Sequence, residues 1–340
     1  METFDINQFS NDTRYAEAVA RIRVLETRLL PARKFLRMAE REDWQGVLDE
    51  LRGTDYAEPL AQVDSAKELE AALVNTTLQR HRIVRELPIE SHLVRAILSW
   101  HDFTNLKILL KKEWGDHSRE GALSPLGNIS SEELKARLAK HQPLPRALQT
   151  TLETVEQDFR KNHSLSRVEI LIDKAYLEWV RQAFYRSSIP FLHRFIDYRI
   201  DLLNIRHMLR WRHWDAAPKV DWQLFPAGGV LPREKLELLQ KSDNEKLASV
   251  LAFTIYGDFF NRAMTFYLQT GELWLLEKLS DDFLTAFCAR TRYTAFGVEP
   301  LIAYLWVLLQ EMRNIQLILR AKYLRLPAEE VKQRLRRTYD

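Results

Sequence analysis

The apolar residues of this chain recur at helical rather than strand spacing. Tyr15, Val19, Ile22, Leu25 and Leu29 step by four, three, three and four, which lines them along one side of a helix. Pro31 interrupts the run and suits a kink or the first turn of a second helix, carrying Phe35 and Leu36. Alternating apolar and polar stretches, the mark of half-buried strands, are nearly absent. With 10 Gly and 12 Pro in 340 residues, sites for tight turns are few. The pattern predicts an all-α fold of long helices joined by short loops.

A longer period lies over the helical one. Asp102-Phe-Thr-Asn105-Leu106-Lys107, Asp201-Leu-Leu-Asn204-Ile205-Arg206 and Glu311-Met-Arg-Asn314-Ile315-Gln316 share one order. Each is an acid, an asparagine three residues on, an aliphatic residue, and then a polar or basic one. The asparagines lie 99 and 110 residues apart. A second segment follows each time: Ile129-Ser130-Ser-Glu132, Leu231-Pro232-Arg-Glu234 and Leu326-Pro327-Ala-Glu329. These read as helix starts, with Ser or Pro near the cap and a carboxylate in the first turn. Three units of about a hundred residues follow, with limits at 1–140, 141–240 and 241–340, and three related units imply pseudo-threefold symmetry. Asn is a poor residue for a helix interior, so its recurrence implies a side-chain task. Two tasks are open: satisfying a buried polar group where helices meet, or forming a shared docking surface. The structural task is preferred, because one role repeated in three differently facing units is more naturally internal.

Composition narrows the function classes. Hydrophobic residues are 46% and charged residues 29%, ordinary for a folded chain. The formal charge is +3 from 50 basic and 47 acidic residues, without the large excess or dense stripe of a nucleic-acid binder. Cys288 is the single cysteine, so an internal disulfide is excluded and a core thiol in a reducing compartment is expected. The N-terminus is acidic and polar and reads as no signal peptide. The most apolar run, Leu301 to Leu309, closed by Glu299 and Glu311, is too short to cross a bilayer.

Candidate chemistry is sparse. Nine histidines are scattered, none in a His-Glu-x-x-His pattern, and His207 and His213 do not share a helix face. No Cys–His cluster supports zinc, so no metal or cofactor is expected. Asp281-Asp282 resembles the start of the acidic motif of all-α terpene cyclases, but Thr285 stands where the third acid belongs. A helix start is the expectation there. Asp258, in an apolar run, is expected to be buried with Arg262 one turn on. Gly228-Gly229 is not part of a phosphate-binding loop, so the chain is not expected to hydrolyse ATP. The basic clusters Arg14, Arg21, Arg23, Arg28 and Arg334, Arg336, Arg337 read as solvated faces.

Several segments together resemble a family. Tyr15 to Leu30 is similar to the first helix of the C-subunit family of V/A-type rotary ATPases, whose eukaryotic relative is the d subunit of the V-ATPase. Thr54-Asp55-Tyr56 resembles its Thr-x-Tyr ending, and Glu169…Asp173…Tyr176 its central segment. Phe296-Gly297-Val-Glu299-Pro300…Tyr304, Glu311…Asn314-Ile315, Lys322 and Leu326-Pro-Ala-Glu329 resemble its C-terminal signature, with Gln316 departing where Arg is usual. The resemblance implies a funnel of three helical domains, without catalytic residues, cofactor or membrane span. It implies a cytoplasmic, peripheral coupling piece between the central stalk (subunits of D and F type) and the rotor ring of proteolipids, serving H⁺ or Na⁺ transport. The competing classes are a generic helical scaffold with unrelated partners and an all-α enzyme of terpene-cyclase type.

Overall fold

The structure is a computed structural model and describes residues 9–60, 63, 66–86, 91–115, 123–212 and 220–340. Among them are sixteen α-helices and no β-strand. In chain order these are α1 (Ala16–Glu26), α2 (Ala32–Glu40), α3 (Trp44–Leu51), α4 (Ala57–Leu60), α5 (Ala66–Arg85), α6 (Ser91–Glu113), α7 (Ser131–Ala139) and α8 (Arg146–Asn162). There follow α9 (Leu165–Tyr185), α10 (Pro190–Trp211), α11 (Arg233–Lys241), α12 (Asn244–Leu247), α13 (Gly257–Thr270), α14 (Trp274–Cys288), α15 (Glu299–Tyr323) and α16 (Ala328–Arg334). No helix among the described residues is long and apolar enough to cross a membrane. The N-terminal residues that read as no signal peptide, and His213, lie outside the described residues.

The chain divides into two compact units, Met1–Ile89 with Ser242–Asp340, and Glu90–Lys241. Packing defines these bodies, whereas the limits 1–140, 141–240 and 241–340 follow the sequence repeat; one body can hold more than one repeat. The first unit is built around α15, which is buried on nearly every side, as expected of a helix that is apolar all round. Leu30, Phe35, Met38, Val47, Leu51 and Tyr56 form a core with Met312, Ile315 and Ile318 of α15. The α1 stripe buries Val19, Ile22 and Leu25. The helix stops at Glu26, leaving Leu29 in the following turn, and Pro31 stands as the extended N-cap of α2. Cys288 is a buried free thiol.

In the second unit α9 packs between α6, α8 and α10. Val168, Ile172, Tyr176, Val180 and Phe184 form its buried stripe. Local signals set the ends. The Ser164 hydroxyl caps α9 by accepting from the Arg167 N–H, and the Ser130 hydroxyl caps α7 by accepting from the Glu133 N–H. His163 ends α8 in the left-handed region at φ 47°.

Two expectations are corrected. Asp258 and Arg262 are both exposed, because the buried stripe of α13 runs through Gly257, Phe260, Ala263, Met264 and Tyr267 and turns Asp258 outward. Asp281 and Asp282 do not start a helix but lie inside α14, which begins at Trp274. Leu276, Leu279, Leu284 and Phe287 bury one side of α14 across the acids, and no breaker separates the two halves. The Asp281 carboxylate accepts from Arg313 and Arg336, and Asp282 from the Arg337 N–H, so the pair anchors the C-terminal segment.

Candidate functional site

The repeated acid and asparagine lie on α6, α10 and α15. Their spacing of three puts both on one stripe of each helix. Asp102, Asn105, Asp201, Asn204, Glu311 and Asn314 are all buried. A buried polar side chain in a helix is unfavourable unless its hydrogen bonds are made. Five of these six are met by chain returning over the helix, and Glu311 by residues far earlier in the chain.

On α6, the Asn105 amide donates to the Ser124 carbonyl at 2.7 Å and accepts from the Ser124 N–H at 2.8 Å. Asp102 accepts from the Ile129 N–H at 3.1 Å and from the Asn128 side chain at 2.9 Å. A Cβ on Gly127 would stand 2.1 Å from the Asp102 carboxylate, so only glycine lets the loop come this close. On α10, Asp201 accepts from the Val230 N–H at 2.8 Å and the Leu231 N–H at 3.1 Å. Gly229, at φ 93°, takes the place of Gly127: its Cβ would also fall 2.1 Å from the carboxylate. Asn204 donates to the Pro226 carbonyl at 3.3 Å. Proline has no N–H to return the bond, and the Asn204 Oδ1 has no partner among the described residues.

On α15, Asn314 restores the two-point clamp, donating to the Arg336 carbonyl at 2.9 Å and accepting from its N–H at 2.8 Å. The acid, however, reaches the other end of the chain. Glu311 accepts from the Leu30 N–H at 2.6 Å, the Tyr56 hydroxyl at 2.6 Å and Arg80 at 2.7 Å. The final residue, Asp340, accepts from the Ala32 N–H at 3.1 Å beside this point. Leu30-Pro31 therefore stands where Ile129-Ser130 and Leu231-Pro232 stand at the first two stations, and leads into α2 as they lead into α7 and α11. Pro327 does precede a helix, α16, but the Leu326 N–H donates to the Ala321 carbonyl and not to Glu311. The third station is closed by the two ends of the chain together.

The sequence carries a signal for this closure that the acid–asparagine repeat does not include. Pro31, Asp43 and Leu51-x-x-Thr54-x-Tyr56 run parallel to Pro232, Asp243 and Leu251-x-x-Thr254-x-Tyr256. The turns match bond for bond. Thr54 donates to Leu51 and caps the Tyr56 N–H at 3.2 Å, and Thr254 donates to Leu251 and caps the Tyr256 N–H at 3.2 Å. Reasoning from the repeat misses Tyr56 and Arg80, because they serve it from other parts of the chain.

Charge is concentrated at the third station. Burial and then the Glu311 carboxylate push the Tyr56 hydroxyl well above the usual phenol range, so it stays a donor. Burial opposes the Arg80 charge, yet Tyr56 and Glu311 beside it raise its pKa above the usual arginine value. Burial likewise raises Tyr304. At the second station His207 is pushed well below its usual value, by burial first and then by Arg206 and Arg210, which leaves it neutral.

Other residues of the family-like segments also act as fasteners. Lys107 and Lys111 of α6 pair with Asp173 and Glu169 of α9, and Arg199 donates to the Tyr176 hydroxyl at 2.8 Å. Glu299 accepts from the Ser10 N–H at 2.5 Å and its hydroxyl at 3.1 Å, and Lys322 donates to the Ala39 carbonyl at 2.5 Å. Among the described residues no cluster of His, Cys, Asp or Glu is placed to hold a metal ion. Chemically, the three stations lock returning loops to inner helices.

The model of the ATP synthase (C/AC39) subunit family matches residues 18–334. The C subunit of the V-type sodium ATPase of Enterococcus hirae is 24% identical over 96% of this chain and 99% of its own length. The C subunit of the A-type ATP synthase of Methanocaldococcus jannaschii is 25% identical over 94% of this chain and 86% of its own. The corresponding A-type ATP synthase C subunit of Methanothermobacter thermautotrophicus is 26% identical over 91% and 84%.

Proposed function

The chain belongs to the ATP synthase (C/AC39) subunit family, a non-catalytic part of a rotary ATPase complex, and on that premise we propose that it couples the rotating central stalk to the membrane rotor ring. ATP hydrolysis or synthesis in the soluble sector is thereby linked to H⁺ or Na⁺ movement through the membrane sector. The partners in this reading are stalk subunits of D and F type and the proteolipid ring. The chain works from the cytoplasmic side, peripheral to the membrane, as three helical repeat units each built on one acid–asparagine station.

The observation that supports this reading best is how the stations are made. A torque coupler must pass a twist through its body without internal slip. Satisfied buried polar networks rigidify a core and specify one arrangement of it, and here they tie each long inner helix to the loop that returns over it. The third station also ties both chain ends into one such network.

Binding tests the reading against a generic helical scaffold. The purified chain should bind both the isolated stalk subcomplex and the detergent-solubilised rotor ring. A scaffold with unrelated partners has selective affinity for neither, and failure to bind either would refute the coupling role.

A further inference from the structure

A groove of about 1120 Å³ runs along the hairpin of α8 and α9, above the ordinary range of small-molecule pockets, about 300–1,000 Å³. Its floor is made of small and apolar side chains on facing helices: Ala147, Thr151 and Val155 from α8, Leu171 and Ala175 from α9. Thr150, Thr154 and Gln182 line it and are exposed. These positions repeat at three and four residues, the spacing of a helix–helix seam. A floor of small and apolar residues at this spacing suits the packing of a third helix.

The rim carries positive charge that is only partly paired among the described residues. Lys174 pairs with Glu178 at 3.7 Å and Arg181 with Asp197 at 3.4 Å. Arg146 and Arg186 also line the groove, are exposed, and have no ion pair among the described residues. The hairpin is antiparallel, so Arg146 at the start of α8 and Arg186 just past α9 mark the same end. Tyr185 stands at that end, 41% exposed. It is held in place: its hydroxyl donates to Asp197 at 2.5 Å, its ring stacks on His193 at 4.2 Å, and Arg181 lies over it at 4.2 Å. Trp179, 39% exposed, adds an apolar surface farther along. Fixed aromatic groups at low entropic cost are what partner anchors use.

We infer that the α8–α9 groove docks one amphipathic α-helix of a partner protein, with small or apolar residues on the Thr151–Ala175 floor and carboxylates at the Arg146–Arg186 end. Identification of that partner as a rotary-ATPase component rests on the coupling reading; the groove's occupancy by an acidic helix does not. The test places a photo-crosslinking phenylalanine at Thr150, at Gln182 or, as a control outside the groove, at Glu153 in the full chain in its own cells, and sequences the cross-linked peptides. Thr150 and Gln182 should label one helical segment with an acidic face, and Glu153 should not. Replacing both arginines (Arg146→Glu, Arg186→Glu) should lower that labelling about tenfold, and in lysed cells the loss should be larger at low ionic strength than at high salt, with no change in thermal melting of the purified chain. No labelling from the groove, or labelling of lipid, nucleic acid or a second copy of this chain, overturns the inference. An acidic helix from a protein outside the rotary complex upholds it while counting against the coupling reading.

Discussion

Replacing Glu311 by leucine removes the acceptor through which α15 holds the N-terminal segment, beside the Asn314 clamp on the C-terminal one. The carboxylate takes three donors, the Leu30 N–H at 2.6 Å, the Tyr56 hydroxyl at 2.6 Å and Arg80 at 2.7 Å. Arg80 is 4% exposed at its side chain, and its other contacts, to the Arg28 carbonyl and Asp55, are at 3.4 Å. The variant therefore leaves a buried guanidinium without its short ion pair. Breaking a buried pair by removing one partner costs about 3–5 kcal/mol, whereas Tyr56→Phe, which removes one hydrogen bond to a charged group, should cost about 1.5–3 kcal/mol. The double replacement Glu311→Leu with Arg80→Leu should recover part of the loss, because no unpaired charge remains. Urea denaturation at neutral pH measures the three values. Amide hydrogen exchange at Leu30, Ala32 and Arg336 locates the effect, and all three should lose protection together in the Glu311 variant. A cost under about 1 kcal/mol, the level of an exposed pair, or a Leu30 amide that stays protected, would refute the reasoning that the ends share one anchor.

The other stations make graded predictions. Asn105→Leu and Asn314→Leu each orphan a backbone N–H and C=O and should cost about 2–4 kcal/mol, whereas Asn204→Leu, with one bond at 3.3 Å and an unpartnered oxygen, should cost about 1 kcal/mol; equal costs by urea denaturation would contradict the geometry. Gly229→Ala should destabilise more than Gly127→Ala, since both meet an aspartate at 2.1 Å but Gly229 alone of the two is at positive φ; its extra backbone strain is about 1 kcal/mol, and the reverse order in thermal melting would count against it. Burial raises the Glu299 carboxyl above the usual range, with Ser10 pulling the other way. The folded state then binds a proton that the unfolded chain has released, so this group's contribution falls as pH rises from the ordinary glutamate value through the raised one. Glu299→Gln, which mimics the protonated acid, should lose less stability relative to the parent at about pH 7 than at pH 4.5, and a difference that grows with pH would contradict the sign.

Much of this architecture is readable from spacing, because helix burial is periodic. The stripe of Val19, Ile22 and Leu25 is buried on α1, and the acid and asparagine of each station share a face because three residues is nearly a helical turn. What spacing does not reveal is which returning chain each side chain meets. The first two acids find their donors further along the chain, at Ile129 and Leu231, so a linear reading looks for the third donor at Leu326. That position is past α15 but on the wrong segment. Glu311 meets Leu30, 281 positions away, and only the Leu-Pro and Thr-x-Tyr parallels near residues 31–56 and 232–256 point there. Asp258 misleads because an apolar neighbourhood in sequence does not say which way a helical side chain faces, and Asp281 because a pair of acids marks a helix start only where no apolar stripe continues through it.

The most direct test of the coupling role is reconstitution of the soluble ATPase sector with membranes stripped of this chain. ATP-driven ion pumping should be absent until the purified chain is added back, while ATP hydrolysis by the soluble sector persists without it. Pumping at the full rate in the absence of the chain would contradict the account.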